Sequence, residues 1–155
     1  MGTKTAATTD WPILLILVGD DCARAISAAI DHAKLTSGKL RVIQILTSSL
    51  YHYGHQDLVA TRPSKREFLL YIRDEVLRRG RAEIQALEQT ARDTGVALEV
   101  YTVESEDIHS AAISEAQKEY DVVFLPRQKK KLLPLFKKTL AGYLQKKISG
   151  KIIEC

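Results

Sequence analysis

Apolar positions along this chain follow two rhythms, one suited to covered strands and one to amphipathic helices. "PILLILV" (Pro12 to Val18) is a near-continuous apolar run between proline and glycine. It is too short for a buried helix, so it reads as a strand covered on both faces. After "GDD", Ala25, Ile26, Ala29, Ile30 and Ala33 recur at helical spacing, and Gly38 suits the C-cap. "LRVIQILT" (Leu40 to Thr47) repeats the strand pattern.

"SSLYHYGHQDLVATRPS" follows as a long irregular stretch rich in turn formers, of a length that is usually functional or mobile in a compact domain. A charged helix is predicted from Ser64 towards Asp93, with Phe68, Leu69, Ile72, Val76, Ile84, Leu87 and Ala91 as its core stripe. An interruption is expected near Gly80 and an end at Gly95. "VALEVYTV" (Val96 to Val103) alternates as a third strand, and Asp107 to Glu119 reads as a helix with an acidic N-cap. "DVVFL" is a fourth strand, "LLPLFKKTLAGYLQKKI" holds a fourth helix, and "KIIEC" is a short fifth strand.

Strands that alternate with helices in this way demand a mostly parallel sheet with right-handed crossovers, hence an α/β domain. At 155 residues the chain is one domain's worth, long enough to bury about two-thirds of its unfolded surface. The first ten residues, "MGTKTAATTD", lack the apolar core of a signal peptide and read as a disordered N-terminus ahead of a single domain over 11–155. No apolar run approaches the roughly 18 residues of a membrane span. Cys22 and Cys155 lie far apart without C-x-x-C spacing, which fits a reducing cytoplasm.

Charge changes the picture more than composition does. Residues 126 to 155 hold nine Lys or Arg against one acid, Glu154, whereas the other residues hold 14 basic and 18 acidic side chains. A basic C-terminal lobe therefore sits on a mildly acidic body. Its densest part is "DVVFLPRQKKKLLPLFKKT" (Asp121 to Thr139), a strand and a helix-forming run joined without a single glycine. The lysines suit a solvated face, or a site that holds an anion or polyanion through side chains. Nucleic acid is the weakest of the three readings, because the only aromatics interleaved with these cations are Phe136 and Tyr143.

The remaining candidates are sparse. Asp20 and Asp21 follow the first strand at the edge where α/β folds place ligands, although acids before a helix are also ordinary caps. His52 and His55, with Asp57 nearby, have a spacing that could touch one metal, but a third fixed ligand is missing and no metal is expected. Cys22, at a helix start, is the residue whose thiol could be activated. No nucleophile-and-base constellation points to catalysis.

The succession of elements from about Pro12 to Cys155 resembles the universal stress protein family. "ILLILVGDDCARAISAAIDHA" is similar to its first strand and helix, with Arg24, Ala25 and Ile26 at the helix start, and "VESEDIHSAAISEAQKEYDVVFLP" is similar to its third crossover. The resemblance implies an open three-layer α/β sandwich of the Rossmann-like, adenine-nucleotide alpha-hydrolase-like kind, with a parallel five-stranded sheet in the order 3-2-1-4-5. It also implies a homodimer through the last strand, where Lys151, Ile152 and Ile153 would line the interface.

Nucleotide-binding members carry G-x2-G-x9-G-S/T after the fourth strand, where glycines let backbone N–H groups close on phosphates. Here Pro126 and Lys129 stand at the first two glycines and Lys138 and Thr139 at the last pair, with one residue fewer between than the motif has. The expectation is therefore a non-enzymatic stress-response or regulatory domain, cytoplasmic, without membrane insertion, that does not bind ATP in the usual way. Two alternatives stay open. One is an ATP or adenine-nucleotide binder, with slow hydrolysis, whose site is Asp20, Asp21, Arg127, Lys129, Lys130, Lys138 and Thr139. The other is a regulatory domain of a membrane transporter.

Overall fold

The computed structural model describes residues 11–19, 22–47, 62–105, 107–118, 120–127 and 140–155. Five strands and four helices alternate: β1 (Ile13–Val18), α1 (Ala23–Leu35), β2 (Lys39–Thr47), α2 (Arg62–Thr94), β3 (Ala97–Ser105), α3 (Ile108–Ala116), β4 (Val122–Leu125), α4 (Leu140–Lys147) and β5 (Lys151–Glu154). The sheet has the order β3-β2-β1-β4-β5, and every neighbouring pair is parallel.

The apolar run that predicted β1 is its whole explanation. Ile13 to Leu17 are each at most 2% exposed, because β1 lies mid-sheet with helices over both faces. Ile13, Leu15 and Leu17 join Leu40, Val42 and Phe124 beneath Ala25, Ala29, Ile30 and Ala33 of α1 and Leu87 and Ala91 of α2. Leu14 and Ile16 join Ile43, Ile45 and Val123 against Ala112 and Ala116 of α3 and Leu140, Ala141 and Leu144 of α4. The period-two alternation of the strands thus assigns each side chain to one of two helical layers. Each fully buried Leu or Ile contributes roughly 2 kcal/mol relative to exposure.

Helix α2 ends where the sequence places its cap, at Gly95 (φ 75°), whereas α1 ends at Leu35 with Thr36 as its C-cap, and Gly38 (φ 69°) closes the turn two residues later with its N–H donating to the Ala33 carbonyl at 2.7 Å. The expected interruption of α2 at Gly80 does not occur, since the helix runs unbroken from Arg62 to Thr94. Gly80 is instead a point of close approach. A Cβ there would lie 3.3 Å from Gln44 Nε2, Gln44 Oε1 and Leu46 Cδ2, a tight fit that these side chains would have to yield to by a few tenths of an ångström. Phe68, assigned to the core stripe, is 49% exposed, and the side chain of Leu69 lies outside the described residues. Helix α4 is described from Leu140, so the earlier part of the expected helix also lies outside them.

Candidate functional site

The order of the sheet reverses between β1 and β4, and α/β folds hold ligands at the carboxyl ends of two such strands. From β1 this edge receives Val18, Gly19 and Cys22; from β4 it receives Pro126 and Arg127. Pro126 is buried, and it brings no N–H to the turn. Arg127 is exposed, and its backbone N–H donates to the carbonyl of Cys155 at 2.7 Å while Cys155 N–H donates to Leu125 at 2.9 Å. These two bonds carry the β4–β5 ladder past its last paired residues and hold Arg127 above the end of β5. Burial pushes the Cys155 thiol above its ordinary range, against the opposing charge of Arg127.

Cys22 stands at the N-cap of α1 with no side-chain cap hydrogen bond. It is 3% exposed, and its thiol faces the carbonyls of Val18 at 3.6 Å and Gly19 at 3.7 Å. A buried thiol directed at carbonyl oxygens is a packing group, not the activated thiol that its place at a helix start left conceivable. Asp20, Asp21, Lys129, Lys130, Lys138 and Thr139 lie outside the described residues, as do His52 and His55. Of the expected anion ligands, Arg127 alone is placed. Among the described residues no group of three or more His, Cys, Asp or Glu side chains could hold a metal ion, and no helix is long and apolar enough to cross a membrane.

The expected interface strand is β5. Lys151 is exposed, and Ile152 and Ile153 are half-buried against opposite helical layers. The turn that delivers β5 is tight, because a Cβ on Gly150 would fall 2.5 Å from the carbonyl oxygen of Tyr120.

Two polar clusters were not foreseen. At the amino ends of β2 and β3, Arg41 binds Glu99 through Nε and Nη2, each at 2.7 Å, and donates from Nη1 to the Tyr120 hydroxyl at 3.1 Å. Its guanidinium also lies 5.8 Å from the Trp11 ring and 5.9 Å from that of Tyr101. Tyr101 donates to Glu99 at 2.6 Å, Tyr120 donates to Glu115 at 2.7 Å, and Lys118 pairs with Glu115 at 2.8 Å. The hydrogen bond from Tyr101, then Arg41, holds the Glu99 carboxyl below its ordinary range. Burial and Glu115 push the Tyr120 phenol well up. These groups point at one another, so the cluster fastens strands and is not arranged to receive a ligand.

The second cluster is Gln44, a polar side chain only 3% exposed inside an apolar strand. Its Nε2 donates to the Gly80 carbonyl at 3.1 Å, and its Oε1 accepts from Thr102 at 3.3 Å. The sequence signal was present in both clusters, as Arg41 and Gln44 interrupt a run expected to be buried on both sides. An open cleft of about 350 Å³ between Glu88, Ala91, Arg92, Val96, Leu98 and Val100 lies beside α2 and β3, away from the switch point.

No family model matches the sequence, and neither does any curated protein. Solved structures do match. The universal stress protein UspA from Lactobacillus plantarum shares 13% identity at a TM-score of 0.66, over 93% of this chain and 97% of that one. A universal stress protein family member from Burkholderia pseudomallei shares 16% identity at 0.64, over 95% and 97%. A universal stress protein family protein from Arabidopsis thaliana with AMP bound shares 13% identity at 0.53, over 92% and 90%. Identities this low speak to architecture alone, and they do so over nearly the whole length of each partner. The chain has the fold of the universal stress proteins.

Proposed function

We propose that this chain is a divergent universal stress protein that acts as a non-enzymatic regulatory domain and does not hold ATP through a backbone phosphate loop. The observation that carries this reading is the stretch from Asp121 to Thr139, which contains no glycine, together with the buried Pro126 at the end of β4. A phosphate loop works by aiming several backbone N–H groups at one anion, and proline removes the first while Cβ atoms crowd the rest. The cations Arg127, Lys129, Lys130 and Lys138 favour recognition of an anion by side chains instead. The AMP bound to the Arabidopsis protein supports a second reading, in which an adenine nucleotide enters the same crevice and its phosphate meets these cations.

Thermal unfolding separates the two. A ligand at 100 times its dissociation constant stabilises by about 2.7 kcal/mol, which raises the midpoint by roughly 5 to 10 °C for a chain of this size. Millimolar ATP, ADP and AMP are expected to move the midpoint by less than about 1 °C, and polyphosphate by several degrees. A shift of several degrees with any of the three nucleotides at physiological salt would overturn the proposal in favour of the second reading.

A further inference from the structure

Helix α2 is longer than the strands it covers. Its 33 residues span roughly 50 Å, whereas the nine residues of β3 span roughly 30 Å. The inner part lies on the sheet, with Gly80, Leu87 and Ala91 buried and Ile84 packed against the same core. From Arg66 to Arg79 none of the described side chains is buried, and Phe68, Leu70 and Tyr71 are 49%, 50% and 65% exposed. Arg73 pairs with Glu104 of β3 at 3.6 Å, with both side chains nearly half exposed. Among the described residues, Glu75 pairs with Arg78 and Arg79 of the helix itself.

The two parts meet at Gly80, where three features coincide. Glycine is the weakest helix former after proline, so bending is easiest there. The Gly80 carbonyl accepts the Gln44 side-chain amide at 3.1 Å, and with two lone pairs it can serve that donor and a helical N–H together. Gln44 is held in turn by Thr102, its register partner on β3.

We propose that α2 is a two-part lever: an inner part fixed to the sheet, an outer part (residues 66–79) that opens as a unit, and a pivot at Gly80 pinned by the Gln44–Thr102 pair. Local opening draws on segments with few buried apolar contacts and exposed polar ties, as the outer part is. Opening releases Ile72, Val76 and Leu77 from half-burial while the core beneath Leu87 and Ala91 stays closed. The lever needs no ligand.

Hydrogen exchange on the full chain, read by mass spectrometry, tests it. In the wild type, amides 66–79 should exchange at least about 100-fold faster than amides 84–94, with the step at Gly80. Gln44→Leu keeps the volume and removes the pin, so the fast segment should extend inward by about one turn while 87–94 keep their protection. Thr102→Val should do the same more weakly, and it serves if Gln44→Leu does not fold. Uniform protection along α2, or a Thr102→Val effect spread evenly over the domain, would show that the helix opens only with the whole protein and sink the proposal.

Discussion

At the amino ends of β2 and β3, Arg41, Glu99, Tyr101, Tyr120, Glu115 and Lys118 close on one another through hydrogen bonds and ion pairs of 2.6 to 3.1 Å. At the carboxyl ends of β1 and β4 the described side chains do nothing comparable: a thiol rests on two carbonyls and an exposed arginine is held by its backbone. Both ends belong to one parallel sheet, and the direction of its strands accounts for the difference. In a parallel α/β sheet, helices start after the carboxyl ends, the edge where such folds place ligands, and side chains that sealed it would close a site there. The amino ends carry no such demand and can be fastened. Among the described residues the side-chain ties are concentrated at the amino edge.

If that division is real, the largest losses of stability should come from the amino edge. Gly150→Ala drives a Cβ into the Tyr120 carbonyl, 2.5 Å away in the undisturbed backbone. It should lower unfolding free energy by about 3 kcal/mol in urea titration, as severe overpacking does. Arg41→Met keeps much of the side-chain volume but strips the charge from Glu99 and a donor from Tyr120, and should lose about 2 kcal/mol by the same measurement.

Acid sharpens the contrast. The folded Glu99 carboxyl titrates below its ordinary value of 4.5 because Tyr101 and Arg41 hydrogen-bond its charged form. A lowered folded value means that its stabilisation is complete above the unfolded value and is lost as pH falls towards and through the folded one. The wild type should therefore lose more stability than Arg41→Met between pH 5 and the acid limit of folding. Parallel pH profiles for the two proteins would assign no role to the pair. The smallest effect is expected at the carboxyl edge, where Cys22→Ser should cost about 1 kcal/mol or less. A Cys22→Ser loss as large as that of Arg41→Met would end the distinction between the edges.

The elements themselves were legible because each has its own periodicity. β1 reads from five consecutive apolar residues, α1 from Ala25, Ala29 and Ala33, and the cap of α3 from Asp107, whose carboxylate accepts from Ser110 N–H at 3.1 Å. The strand order came from resemblance and is the order observed. Interactions that depend on register were not legible. Arg41 meets Glu99 because β2 and β3 align those two residues, and it meets Tyr120 because the chain passes beneath it before β4. Nothing within one segment specifies either meeting. The reading of Gly80 failed in a related way, since local propensity treats glycine as a breaker while here its missing side chain gives close-packed room to Gln44 and Leu46. Of the candidate anion site, Arg127 is placed and its expected companions lie outside the described residues.

The strand order has a consequence for how the protein is made. β1 lies between β2 and β4, so it emerges from the ribosome first yet gains its second neighbour only when Val122 arrives to pair with Ile13. For most of synthesis Ile13, Leu15 and Leu17 have α1 and α2 to lean on, while Leu14 and Ile16 still lack α3 and α4 and the flank that β4 will cover is open. Translation at about 5 to 20 residues per second leaves that flank bare for several seconds. Until then the β1 edge and its face of Leu14 and Ile16 are the apolar surface that the later half of the chain has still to cover.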